Sequence, residues 1–163
     1  MSALNHTILF VCTGNTCRSP AAARILQACL EKRGENCSEW LIDSAGLHAG
    51  RGQPVSRQMA AALARRGLDP SRHRSRPLED VNLDQYAVIL VMEAAQRQDL
   101  LARFPVLNGK VLLLAEVCSR HDDVVDPYGA GETVYDRTVQ QIETLLECGY
   151  EQIRKLAELN LEC

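Results

Sequence analysis

Thr7-Ile-Leu-Phe-Val-Cys-Thr-Gly-Asn-Thr-Cys-Arg-Ser-Pro20 changes character twice within fourteen residues. Residues 7–11 are a short, continuous apolar run with β-branched members, which predicts a buried strand inside a parallel sheet. Residues 12–18 are a polar loop holding one glycine. Ser19-Pro20 then predicts a helix start, with the serine as cap and the proline in the first turn. Ile25, Leu26, Cys29 and Leu30 recur at helical spacing, and Gly34 ends the helix.

The same alternation repeats outward from this unit. Residues 40–44, 87–92 and 110–114 read as three further strands. Residues 56–66 and 94–103 read as helices. The last element, 133–160, keeps a helical rhythm through Val134, Val139, Ile142, Leu145, Leu146, Ile153 and Leu156. Gly67-Leu-Asp-Pro70 is a turn, and residues 116–132 form a long acidic loop. Strand and helix in this order predict a three-layer α/β/α fold, with a four-stranded parallel sheet and right-handed crossovers. Ligands of such folds sit beyond the carboxyl ends of the strands, which is where loop 12–18 falls.

The chain of 163 residues is 46% apolar, enough for one core, so residues 1–163 are expected to form a single domain. Eighteen basic against 21 acidic residues give a net charge of −3, which argues against a nucleic-acid partner. No apolar run reaches the length of a membrane span. Met1 to His6 lack the pattern of a secretory leader. Seven cysteines, at 12, 17, 29, 37, 118, 148 and 163, are odd in number and irregular in spacing. They suit a reducing, cytoplasmic compartment better than a disulfide framework. Cys29 and Cys148 fall in helical patterns and are expected to pack as small apolar groups.

The chemistry concentrates in Cys12-x5-Arg18. A loop that wraps back to a helix start turns several backbone N–H groups inward and makes an anion cradle, to which Thr13, Gly14, Asn15, Thr16 and Cys17 contribute. The helix N-terminus adds partial positive charge, and Arg18 adds a planar fork matched to two oxygens of a tetrahedral oxyanion. The guest implied is phosphate. The field that attracts it also favours a thiolate at Cys12, an in-line nucleophile for phosphorus. A proton donor for the leaving atom must come from elsewhere, and the acidic loop offers Asp122, Asp123 and Asp126. Asp126 is preferred because Pro127 stiffens the backbone after it. The loop lacks the Gly-Lys-Ser/Thr of a nucleotide-binding loop and the spacing of a dinucleotide fingerprint. Cys12 and Cys17 have no second pair of metal ligands nearby, and His121-Asp122-Asp123 reads as a solvated loop. No metal and no cofactor is expected.

Val11-Cys-Thr-Gly-Asn-Thr-Cys-Arg-Ser-Pro20 resembles the phosphate loop of the low-molecular-weight protein tyrosine phosphatase family. Asp43-Ser-Ala-Gly46, Val91-Met-Glu93 and Val125-Asp-Pro-Tyr-Gly129 follow in family order, so the resemblance covers roughly residues 7–157. It implies a phosphatase I-like fold and metal-free hydrolysis of phosphorylated proteins, with inorganic phosphate as product and a monomeric enzyme. It also implies that Cys12 is the nucleophile, Arg18 the phosphate clamp and Asp126 the general acid and base. Asn15, Ser19, Ser44 and His73 match a network that holds the loop, with Ser19 favouring the Cys12 thiolate. For His73 the alternative is an exposed residue of an arginine-rich turn. Cys17 matches a position that pairs with the catalytic thiol on oxidation.

Three departures bear on the substrate. Thr16 stands where many tyrosine-directed members carry isoleucine, and threonine there is characteristic of the protein-arginine phosphatase branch. Leu47-His48-Ala49 replaces the threonine and aromatic residues of many eukaryotic members. Tyr128 is then the remaining aromatic wall for a phenol, unless it packs its own loop. Gly129 stands where some members carry a second tyrosine. A phosphotyrosine substrate leads, with phosphoarginine as the alternative on the same scaffold. A thioredoxin-coupled arsenate reductase is disfavoured because residues 77–100 contain no cysteine. A non-catalytic redox or phosphate sensor is disfavoured by the presence of Cys12, Arg18 and Asp126 together. Residues 51–76 hold seven arginines and one acid, Asp69, which reads as a solvated face or as a basic flank for acidic substrates.

Overall fold

The structure is a computed structural model describing residues 3–159. Met1, Ser2, the last residue of the expected final helix at 160 and Cys163 lie outside that range. β1 (His6–Cys12) is buried along its whole length, as a strand covered on both faces must be. It pairs in parallel with β2 (Trp40–Gly46) on one side and with β3 (Val88–Val91) on the other. β4 (Val111–Leu113) adds to β3, giving the order β2-β1-β3-β4. The first crossover steps one way from β1 and the later ones step the other way. Right-handed connections therefore put α1 (Arg18–Arg33) and α3 (Ala94–Arg103) on opposite faces of the sheet. The direction reverses between β1 and β3, so the loop after β1 opens at the topological switch point.

α1 buries Ala21, Ala22, Ile25, Leu26, Cys29 and Leu30 against the sheet and ends at Gly34, whose φ of 69° is left-handed. α2 (Arg57–Ala64) is capped by Ser56, whose hydroxyl accepts the Met59 amide at 3.4 Å. Among the described residues no helix is long and apolar enough to cross a membrane.

Several expectations need correction. Ser19 does not cap α1. The helix begins at Arg18, Cys17 occupies the cap position without a side-chain bond, and Ser19 is buried within the first turn. The turn closes early because the hydroxyl is engaged at the sulfur of Cys12. The final element is two helices, α4 (Glu132–Cys148) and α5 (Tyr150–Ala157), broken at Gly149. A Cβ on Gly149 would stand 2.2 Å from Val117 Cγ2, so the chain turns where no side chain fits. Cys29 is buried as expected, but Cys148 is exposed at the end of α4. Short 3-10 turns at Leu78–Asp80, Leu83–Gln85, Pro105–Leu107 and Leu114–Cys118 fill connections that carry no periodic signal.

Candidate active site

Cys12 closes β1 with its side chain buried. The chain beyond it is held from outside by its carbonyl oxygens. Cys12 O accepts Leu47 N at 3.0 Å, Thr13 O accepts His48 N at 2.9 Å, and Thr16 O accepts Ser56 N at 2.7 Å. Asn15 O accepts from His73 Nε2 at 2.6 Å. In a planar trans peptide the next N–H points opposite to the carbonyl. Four outward carbonyls therefore aim the amides of Thr13, Gly14, Thr16 and Cys17 into the loop. Among the described residues, none of the amides from Gly14 to Arg18 donates to a protein acceptor. This is an anion cradle in the sense the sequence implies. The close approach of β2 needs Gly46, where a Cβ would lie 2.7 Å from Thr13 O and 3.0 Å from Asn15 N.

Arg18 is 2% exposed. Its Nη1 donates to the carboxylate of Glu93 and to Val124 O at 2.8 Å. Nη2 has Asp126 Oδ2 at 3.7 Å, and Nε is buried without an acceptor among the described residues. The Nε–Nη2 edge is thus the one left for an oxyanion. Glu93 balances a buried guanidinium that would otherwise carry a desolvation cost of several kcal/mol. The sequence reading includes Glu93 in Val91-Met-Glu93 but gives it no role; it lies two residues beyond β3, at the cap of α3. That reading also missed Gln96, whose Oε1 accepts Met92 N and Glu93 N while its Nε2 donates to Thr13 Oγ1 at 3.2 Å.

Asn15 locks the loop. Its φ of 55° is left-handed, a conformation asparagine tolerates better than most residues. Its Nδ2 donates to Ser19 Oγ and Ser44 Oγ, each at 2.9 Å, and its Oδ1 accepts Arg76 N at 3.0 Å. Ser19 Oγ lies 3.0 Å from Cys12 Sγ. Arg76, unassigned from sequence, also donates Nε to Ser44 O and pairs with Asp43 at 3.3 Å. Tyr86 donates its hydroxyl to the same carboxylate at 2.6 Å. His73 is part-buried and belongs to this network rather than to an exposed turn. Burial lowers its pKa, opposed by the Asn15 carbonyl and reinforced by Arg74 and Arg76.

The acidic loop separates its three aspartates. Asp122 pairs with Arg120 at 2.9 Å, and Asp123 Oδ1 accepts the Ala94 amide at the start of α3. Asp126 alone of the three faces Arg18, with its Oδ1 accepting Tyr128 N at 3.1 Å. The loop is tied down by Val124, which is buried and donates its amide to Met92 O. Tyr128 is 87% exposed and does not pack its own loop. Leu47 is in the core, so it forms no wall of the site, and His48 is exposed and paired with Asp99 at 3.1 Å. Thr16 is half-buried on the cradle rim. Cys17 is half-buried too, and its thiol is pushed up to about 12 by burial, then by Cys12 and Asp126. Four of the seven arginines at 51–76 engage carboxylates elsewhere in the chain: Arg51 with Asp80, Arg65 and Arg66 with Asp136, and Arg76 with Asp43. Arg57, Arg72 and Arg74 are exposed.

A four-stranded parallel sheet with an anion cradle and a cysteine at its switch point suits a cysteine-dependent phosphatase. The chain belongs to the low molecular weight phosphotyrosine protein phosphatase family, whose model matches residues 7–158. It is 33% identical over 150 residues to the probable low molecular weight protein-tyrosine-phosphatase EpsP of Ralstonia nicotianae, covering 92% of this chain and 97% of that protein. It is also 33% identical over 143 residues to the protein-arginine-phosphatase of Geobacillus stearothermophilus, covering 87% of this chain and 92% of the relative. Among solved structures, the low molecular weight protein tyrosine phosphatase from T. tengcongensis superposes with a TM-score of 0.83 at 33% identity, covering 90% of this chain and 99% of that one. The YwlE arginine phosphatase from Geobacillus stearothermophilus superposes with a TM-score of 0.82 at 32% identity, covering 92% and 94%.

Proposed function

We propose that the chain hydrolyses phosphotyrosine in phosphorylated proteins through a phosphocysteine on Cys12. The observation that carries this reading is the combination of outward-held carbonyls, an Arg18 Nε with no acceptor among the described residues, and the buried Cys12 at the start of the same loop. The cradle amides and Arg18 bind the three non-bridging oxygens of the phosphate. Cys12 Sγ attacks phosphorus, the phosphorus–oxygen bond to the leaving group breaks, and Asp126 as the acid protonates that oxygen. Asp126 as the carboxylate then takes a proton from water, whose oxygen attacks phosphorus. Inorganic phosphate leaves and the Cys12 thiolate returns. Ser19 donates to the sulfur at both stages, and Asn15, Ser44 and His73 keep the loop in shape. Exposed Tyr128 supplies an aromatic face for the substrate ring.

Thr16 favours a second reading, phosphoarginine as substrate, because its hydroxyl gives the rim a partner for guanidinium N–H groups. Six cysteines among the described residues are free thiols, which supports a reducing, cytoplasmic setting. The reading is of a monomer that takes protein rather than nucleic-acid partners, in keeping with its net charge of −3.

Parallel assays of a phosphotyrosine peptide and a phosphoarginine protein test both readings on the parent, Cys12→Ser and Thr16→Ile. The proposal expects faster turnover of phosphotyrosine by the parent and none by Cys12→Ser. Turnover that survives Cys12→Ser overturns the mechanism. A parent that prefers phosphoarginine, with that activity lost in Thr16→Ile, establishes the second reading.

A further inference from the structure

A cavity of about 550 Å3 lies against the network that holds the phosphate loop. Residues 20, 24, 27 and 31 share one face of α1 and form its first wall. The edge strand β2 forms the second with Ile42, Asp43 and Ser44, and residues 69–76 close it. Arg24, Arg72, Arg74, Arg76 and His73 line it, with the Arg74 guanidinium donating to Ser71 O and His73 O.

Among the described residues, the acids there pair with only one of these arginines, Arg76. Asp43 is engaged by Arg76 and the Tyr86 hydroxyl, and Asp69 by the amide and hydroxyl of Ser71. Asp69 lies near enough to feel Arg24 and Arg72, yet accepts a hydrogen bond from neither. Glu31 sits two helical turns beyond Arg24 on the same wall. Arg24 Nη1 is a buried donor with no acceptor among the described residues. A buried, unpartnered guanidinium nitrogen costs free energy that a bound oxyanion recovers. Pro20, Ala23 and Val55 give the same cavity an apolar wall.

We infer that this cavity is a second binding site, specific for the phosphate group of a small phosphate monoester. Arg24 and Arg72 supply forks for the oxygens, Arg74 reinforces the field, and the apolar wall takes the organic part. Its size is that of a small-molecule site. The site touches the catalytic loop from behind, because Ser44 and His73 line the cavity and also bond Asn15. The inference does not depend on which phosphoprotein the enzyme prefers.

Residue-resolved amide NMR on the full chain tests it, with benzylphosphonate and inorganic phosphate as probes. Two sets of shifts with separate midpoints are expected on adding the phosphonate, one over residues 13–18 and one over residues 42–44 and 69–76. Arg24→Ala is expected to weaken the second midpoint by about tenfold or more while leaving the first unchanged. Arg72→Ala, at an exposed position, repeats the test without touching α1. Cys12→Ser is expected to lose turnover and keep the second midpoint, which separates this inference from the catalytic one. A single midpoint throughout, or a second midpoint unmoved in both arginine variants, overturns the site. Inorganic phosphate binding there as tightly as the phosphonate overturns the assignment to a monoester.

Discussion

Ser19 Oγ accepts the side-chain amide of Asn15 at 2.9 Å, which leaves its single hydroxyl proton for the sulfur of Cys12 at 3.0 Å. The competing acceptor, Ala45 O, is farther away at 3.5 Å. Hydrogen bonds to a charged group are worth about 1.5–3 kcal/mol, so Ser19→Ala is expected to lower kcat by about 10- to 100-fold. In the proposed mechanism the thiolate is both the attacking group and the later leaving group, so both steps are expected to slow. Alkylation by iodoacetate at neutral pH reports the sulfur directly and should slow with it. Alkylation as fast as in the parent would show that the hydroxyl does not serve the sulfur.

Asn15 meets two demands that can be separated. Glycine tolerates its left-handed φ of 55° but supplies none of its three side-chain bonds. Alanine supplies neither. Both Asn15→Gly and Asn15→Ala are expected to lose most phosphate affinity, since Ser19 and Ser44 are then left without their common donor. Asn15→Ala should be less stable than Asn15→Gly by a further ~1 kcal/mol of backbone strain. Equal unfolding midpoints for the two variants would remove the strain argument, and unchanged phosphate binding in Asn15→Gly would remove the network argument.

What was legible in the chain was what depends on near neighbours. The run 7–11 has to be a central strand because all its residues are apolar or β-branched, and the structure buries every one. The loop's cradle follows from the chain reversing between that strand and a helix. What was illegible depends on distant partners. Glu93 acquires its role only because Arg18, 75 residues earlier, is buried beside it. The break at Gly149 comes from the approach of Val117, which no periodicity in residues 133–160 records. Ser19 looks like a cap because local rules say nothing of a sulfur that folding brings to its hydroxyl. The 3-10 turn at Leu114–Cys118 straddles the end of the expected strand 110–114 and the start of the acidic loop, where no repeat marks it.

The three aspartates of the acidic loop should respond differently to amidation. Asp126→Asn removes the group facing Arg18 and is expected to lower kcat by about 10²–10⁴-fold for a poor leaving group. The loss should shrink for an aryl phosphate whose phenolate leaves unprotonated. Asp123→Asn weakens the contact with the Ala94 amide and should cost about 1 kcal/mol of stability with little effect on kcat. Asp122→Asn disturbs an exposed pair with Arg120 and should be close to neutral. Steady-state rates on two phosphate esters of different leaving-group acidity, with unfolding midpoints alongside, check all three. A leaving-group dependence that appears in Asp123→Asn instead would reassign the acid.

Histidine burial gives the fold a stability that acid removes. His73 and His6 both have pKa values below the ordinary 6.5, chiefly through burial, with Arg154 adding to the effect at His6. The unfolded chain therefore takes up these protons more readily than the folded one. Their contribution is complete above about 6.5 and is lost as pH falls from there through the folded values. Asp69 and Asp80 are lowered from 3.8 by Ser71 and Arg51, so their contribution is lost at lower pH still. Thermal midpoints measured downward from neutrality should fall first in the histidine window. His73→Asn should start lower, because the bond to Asn15 O is disturbed, and should fall less steeply. A variant whose curve runs parallel to that of the parent would exclude His73 as a titrating group.

Cys17 is poorly ionised at neutral pH for reasons that oxidation of Cys12 would partly remove. Its thiol is pushed up to about 12, first by burial and next by the negative charge of Cys12. Peroxide is expected to convert the Cys12 thiolate to a neutral sulfenic acid, with the second peroxide oxygen leaving as hydroxide that takes a proton from solvent. The repulsion from Cys12 then vanishes and Cys17 ionises more easily. Its sulfur attacks the sulfenic sulfur, hydroxide leaves as water with the thiol proton, and a Cys12–Cys17 disulfide results. A thiol reductant restores both cysteines. Without Cys17 the sulfenic acid stays exposed to a second equivalent of peroxide and advances to the sulfinic acid, which thiols do not reduce. The parent is therefore expected to regain most activity after peroxide and reductant, and Cys17→Ser to regain little. Mass spectrometry should find the disulfide in the first and a gain of two oxygens on Cys12 in the second. Equal recovery of the two proteins would mean that Cys17 gives no protection.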